Sequence, residues 1–138
     1  MENQIEVPQG ITPEDVKERE QIIFSFYEQW KAANPDQKVY NRNLRDYIHI
    51  RSISITETAR HASKRYLSTL AVLQLDAILS CAHKVSYEKP EKRDNQLSFR
   101  AMLIMEHKCP GIGRVKLTVG VRHKTLLKVQ YCITAIEV

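Results

Sequence analysis

A chain of 138 residues carries enough mass for one domain with a core of its own, and too little for two. A hydrophobic fraction of 43% and a charged fraction of 27% exclude a disordered, collagenous or disulfide-scaffold protein. The net charge of +5 conceals a division: residues 1–36 hold eight acids and three bases (3 − 8 = −5), and the remaining 102 hold 18 bases and eight acids (18 − 8 = +10).

A body this basic attracts polyanions, of which nucleic acid is the commonest. No apolar run is long enough to span a bilayer, and the start MENQIEVPQG has no apolar signal region. Cys81, Cys109 and Cys132 form no CxxC and are odd in number, which fits free thiols in a reducing compartment. The expectation is a cytoplasmic protein with no membrane association.

Thr12, Pro13, Glu14 and Asp15 read as a helix start, with a hydroxyl cap, a proline where its missing N–H is harmless, and acids at the positive helix end. The helix should run to about Asn34, ahead of Pro35, with Val16, Ile23, Phe26, Tyr27 and Trp30 as its apolar stripe and a charged, acidic face outward. Residues 35–44 read as a loop and Tyr47–Ile50 as a short strand. From Thr56 to Ala82 there is no glycine or proline; a basic helix with Arg60, His61, Lys64 and Arg65 leads, after a break capped by Ser68, into a helix apolar nearly all round. Ser86–Asn95 reads as a charged loop.

Leu97–His107, Arg114–Arg122 and Lys128–Glu137 alternate with period two, and their short links imply an antiparallel meander. Fold class is therefore α+β, with N-terminal helices packed on one face of a three- to four-stranded antiparallel sheet. The chain divides into an acidic helical extension, 1–36, and a core, 55–138, within a single domain. Odd-numbered strand residues (Leu103, Leu117, Ile133 and their kin) form the core face. The even-numbered face carries Arg100, Arg114, Lys116, Arg122 and Lys128 against the single acid Glu106. A turn centred near Lys124 and Thr125 sets Lys116 opposite Thr134 and Thr118 opposite Cys132, a cation beside a hydroxyl suited to a phosphate. Met102, Ile104, Cys132 and Ile136 on the same face point to partial cover by another segment or subunit.

Among the five histidines, His107 and His123 fall at opposite ends of the meander, roughly 30 Å apart at about 3.3 Å per residue, and cannot serve one phosphate. His61 reaches the sheet only if its helix packs at the rim. His107 and Cys109 lack a second ligand pair for zinc. With no GxxxxGK[ST], GxGxxG or GxSxG string either, no metal and no cofactor are expected.

The strand pair KLTVGVRHKTLLKVQYCITAI, Lys116–Ile136, preceded by TARHASKRYLSTLAVLQLDAIL, resembles the prophage-associated nucleases grouped with barnase, EndoU, the colicin tRNases and RelE-type toxins. The resemblance covers about Ile55–Ile136 and rests on element order and the TVGV and YCIT strand signatures. It implies two helices followed by a four-stranded antiparallel sheet with an open RNA-handling face. It implies metal-independent RNA cleavage in a toxin or mobile-element setting, with an inhibitor or immunity protein as partner. On that reading Lys116 and Arg122 stabilise charge, Thr134 positions the phosphate and His61 carries a proton. Lys64, Arg65, Arg100, Arg114, Lys128 and Gln130 bind the nucleic acid. The sheet face lacks a paired acid and base, which departs from the barnase pattern. Two other readings stand beside it: a non-catalytic module that binds nucleic acid or an acidic protein, and a helix-turn-helix DNA binder drawn from ITETARHASKRYLSTL.

Overall fold

The computed structural model describes residues 6–92 and 95–136. Ten elements follow in order: α1 (Pro13–Ala33), β1 (Lys38–Asn41), β2 (Asp46–His49), α2 (Ser52–Ala62), α3 (Tyr66–Val72), α4 (Leu75–Cys81), β3 (His83–Glu88), β4 (Phe99–Cys109), β5 (Gly113–Arg122) and β6 (Lys128–Ala135). The class is α+β, but the sheet differs from the expected three or four antiparallel strands. Six described strands run in the order β1-β2-β6-β5-β4-β3, and β2 pairs with β6 in parallel. β2 is the short strand expected at Tyr47–Ile50, shifted by one residue. β1 falls in the expected loop 35–44 because four residues are too few to display alternation. β3 is an edge strand exposed along its whole length, so its residues need no apolar face, and Ser86–Glu88 belong to it instead of to a loop.

Helix α1 begins as its sequence dictates. Thr12 Oγ1 accepts from the Asp15 N–H at 3.2 Å while Asp15 Oδ2 accepts from the Thr12 N–H at 3.4 Å, a reciprocal cap. Ile23, Tyr27 and Trp30 bury into the main core, against Val72, Leu75, Ile78 and Leu79 and the sheet residues Met105, Leu117, Val119 and Ile133. The break expected at Ser68 falls earlier, at Ser63–Arg65. Ser68 lies inside α3, where its Oγ accepts from the Ala135 N–H at 2.9 Å.

That contact explains how the helices meet the sheet. β6 pairs with β2 only through Ile48↔Lys128 and His49↔Val129. Beyond Val129 its outer edge would be bare, so side chains of α2 and α3 serve its backbone: Thr58 Oγ1 donates to the Tyr131 carbonyl at 3.5 Å, and Ser68 takes the Ala135 amide. Helix α2 thereby lies at the rim of the sheet.

The odd-numbered core face holds through the middle of the meander, where Leu117 and Ile133 are fully buried. At one end two β-bulges reverse it. Thr118 pairs with Cys132 but Val119 pairs with Gln130, leaving Tyr131 as an extra residue; Arg100 is extra between Phe99 and Ala101. Phe99, Val129 and Tyr131 therefore join Met102 and Cys132 in a second, smaller apolar cluster on the opposite face. Gln130 turns into the main core, donating from Nε2 to Thr58 Oγ1 at 2.6 Å and accepting from the Tyr27 hydroxyl at 3.0 Å.

Candidate active site on the second sheet face

Residue rows fixed by strand register build a cleft of about 250 Å³ on the sheet face opposite the main core. One row is Ile104–Thr118–Cys132 across β4, β5 and β6; the next is Glu106–Lys116–Thr134. The pairings Lys116↔Thr134 and Thr118↔Cys132 are those expected from the turn. His61 on α2 and Tyr131 form one wall, and Glu88, at the end of β3, with Glu91 and Gln96 of the following segment, form the other. Met102 and Ile104 give the floor its apolar part.

Three of the four expected catalytic residues, His61, Lys116 and Thr134, thus line one cleft. His61 reaches it because α2 seals the edge of β6. Lys116 is in no ion pair among the described residues; its cross-strand neighbour Glu106 is held by Arg114, Nη2 to Oε1 at 2.8 Å. Arg122 is not among the cleft residues. Six positions from Lys116 on one strand, it lies about 20 Å away at about 3.3 Å per residue, too far to share a phosphate. Its guanidinium sits 5.2 Å over the Phe99 ring.

The expected nucleic-acid residues scatter likewise. Gln130 is fully buried, its amide spent on Tyr27 and Thr58, and it offers nothing to a ligand. Lys128 is bound to Asp46 at 2.7 Å and Arg114 to Glu106. Lys64, Arg65 and Arg100 are exposed and lie outside the cleft. Nor is the even-numbered face an open basic groove. Met102, Ile104, Thr118 and Cys132 are buried, and the carboxylates Glu88 and Glu91 line the same cleft as Lys116.

The carboxylates are what the sequence reading missed. Beneath His61 lies Glu57, 4% exposed, whose Oε2 is 3.4 Å from His61 Nε2. The Tyr131 hydroxyl donates to the same oxygen at 3.3 Å, and Asn95 Nδ2 donates to Oε1 at 3.3 Å. Expected among cations, the imidazole instead touches an acid. The spacing of Glu57 and His61, four apart on one helix, was the available signal. Glu88 was concealed by the reading of β3 as loop; its Cα partner is Met102 of the cleft floor. Burial first, and the Glu57 charge second, push the Cys132 thiol up to about 12, which disfavours its thiolate.

The cleft combines a carboxylate on a strand, an imidazole oriented by a buried acid, an ammonium and two threonine hydroxyls. Such a set can remove a proton, deliver one, and stabilise an anionic oxygen between them. Among the described residues no three His, Cys, Asp or Glu side chains are grouped to hold a metal ion, and no helix is long and apolar enough to cross a membrane. No protein-family model, no curated protein and no solved structure matches the chain.

Proposed function

We propose that this chain is an endoribonuclease that cleaves RNA through the 2′-hydroxyl of its substrate, without a metal. The observation that carries the reading is the convergence of His61, Lys116 and Thr134 with Glu88 in one cleft on the face opposite the core. The paired acid and base absent from β4, β5 and β6 come from either side of them: the acid from the edge strand β3, the imidazole from α2. The likeness of Ile55–Ile136 to the barnase, EndoU, colicin and RelE group, in which a sheet face handles RNA, supports it further.

Glu88, a carboxylate at the end of a strand, takes the proton of the 2′-hydroxyl as that oxygen attacks the adjacent phosphorus. His61, held beside Glu57, gives a proton to the departing 5′-oxygen. The phosphorus–5′-oxygen bond breaks as the 2′-oxygen bond forms, leaving a 2′,3′-cyclic phosphate and a free 5′-hydroxyl. Lys116 faces the charge that builds on the non-bridging oxygens, and the Thr134 and Thr118 hydroxyls donate to them.

The test is incubation of purified protein with RNA, ribosome-bound message included, in EDTA. Cleavage to a 2′,3′-cyclic end is expected, and DNA, lacking the hydroxyl, should survive. Lys116→Ala should lower the rate on the order of 10² to 10³, and His61→Ala or Glu88→Gln on the order of 10² to 10⁴. Equal rates in all variants would move the reaction elsewhere on the molecule. No cleavage of any RNA would overturn the enzyme in favour of a non-catalytic binding module.

A further inference from the structure

The cleft has more carboxylates than cations, so attraction for a long polyanion has to come from another surface. We infer that the β1–β2 hairpin is that surface, a stacking platform for the bases of single-stranded RNA outside the cleft. The choice of RNA rests on the proposed function; the platform itself rests on the hairpin.

Val39 and Ile48 of the hairpin pack into the main core. Alternation then turns Lys38, Tyr40, Tyr47 and His49 outward, with Tyr40↔Tyr47 and Lys38↔His49 as cross-strand partners. Tyr40 is 47% and Tyr47 42% exposed. Their rings meet edge to face with centroids 5.4 Å apart, and Lys38 Nζ stands 4.4 Å from the Tyr47 centroid. Arg42 and Arg45, in the turn joining the strands, are exposed and in no ion pair among the described residues. The acid of the hairpin, Asp46, is engaged by Lys128. Arg51 follows β2, also exposed.

A cross-strand tyrosine pair stiffens a hairpin whatever the protein binds. That role gives no reason for Lys38, Arg42 and Arg45 to surround it without counter-charges. Exposed aromatic rings bordered by free cations are what single-stranded nucleic acid requires: π-faces for bases and positive charge for the backbone.

The experiment titrates the full chain with a fluorescent 2′-O-methyl adenosine decamer, which lacks the attacking hydroxyl and stays intact, and reads anisotropy. Tyr40→Ala and Tyr47→Ala should each weaken binding at least about fivefold, and Tyr40→Phe and Tyr47→Phe, which keep the ring, should not. Thermal melts of the same proteins establish that they are folded. Alanine variants that bind within about twofold of wild type would overturn the platform, as would phenylalanine variants that lose as much as alanine. A glutamate decamer bound as tightly, with the same dependence on Tyr47, would overturn it in favour of an acidic protein. Loss of cleavage in Lys116→Ala with decamer binding retained separates the two sites. Tyrosine-dependent binding by a protein that cuts no RNA would remove the nuclease and leave the platform; cleavage with tyrosine-independent binding would do the reverse.

Discussion

His61 Nε2 lies 3.4 Å from Glu57 Oε2, one helical turn apart on α2, with the imidazole reaching the cleft and the carboxylate buried behind it. The carboxylate is shared with the Tyr131 hydroxyl and Asn95, so it is fixed before it orients the ring. Glu57→Gln should leave the fold largely intact, because an amide still accepts from Tyr131, while cleavage falls through misplacement of His61. Glu57→Ala should also destabilise by about 1 to 3 kcal/mol, since it removes the buried carboxylate that accepts from both Tyr131 and Asn95. Paired melts and rates check this; a Gln variant of full activity would deny Glu57 its positioning role.

Arg19 is fully buried on α1 and ties three segments together. Its Nε donates to the Ser63 carbonyl at 2.7 Å, and Nη1 donates to Pro8 at 2.8 Å and Gly10 at 2.7 Å. Arg19→Lys keeps the charge but not the planar fork, so at least one buried carbonyl loses its donor. A loss of about 1 to 3 kcal/mol is expected, measured by urea unfolding at unchanged m-value. Stability equal to wild type would show that the carbonyls find water instead.

Gly120 owes its place to close approach. A Cβ there would fall 2.5 Å from the Phe99 ring carbons Cγ and Cδ1. Phe99 is itself 1% exposed and bounded by Tyr131 and the Arg122 guanidinium, so it has little room to give. Gly120→Ala should destabilise by about 1 to 3 kcal/mol through overpacking. Adding Phe99→Leu should recover part of that loss; a double variant whose effects merely add would argue against the clash.

Stability should fall in two stages as the solution is acidified. Burial, helped by Arg51 and Lys38 and opposed by Asp46, holds the His49 imidazole below its ordinary 6.5. The unfolded chain then takes up that proton first, so the contribution is whole above pH 6.5 and is lost as pH falls through the folded value. The hydrogen bond from Lys128 holds the Asp46 carboxyl below its ordinary 3.8, with burial opposing. Its contribution is present above pH 3.8 and disappears below, as the folded value is passed. His49→Gln should remove the first decline and Asp46→Asn the second, in unfolding curves recorded across pH. Variant curves parallel to wild type in these windows would contradict the assignment.

Sequence alone determined what depends on neighbours along the chain. Thr12 and Asp15 cap α1, and Asn34 ends it, because capping is decided within a turn of helix. The register Lys116↔Thr134 followed from turn length and alternation, and these two residues meet where expected. Tertiary structure decided everything that depends on an edge or an extra residue. The bare edge of β6 drew α2 to the rim and carried His61 and Glu57 into the cleft, an arrangement set by backbone groups that no side-chain pattern records. The bulge at Tyr131 reversed the faces of β6 and buried Gln130, because one added residue in a period-two strand exchanges inside for outside. Arg19, three residues after Val16 and four before Ile23, can be buried at that spacing only because carbonyls from the turn after α2, 44 and 45 residues away, accept from its guanidinium. The strands β1 and β3 became strands only through partners, since short or fully exposed segments carry no burial pattern of their own.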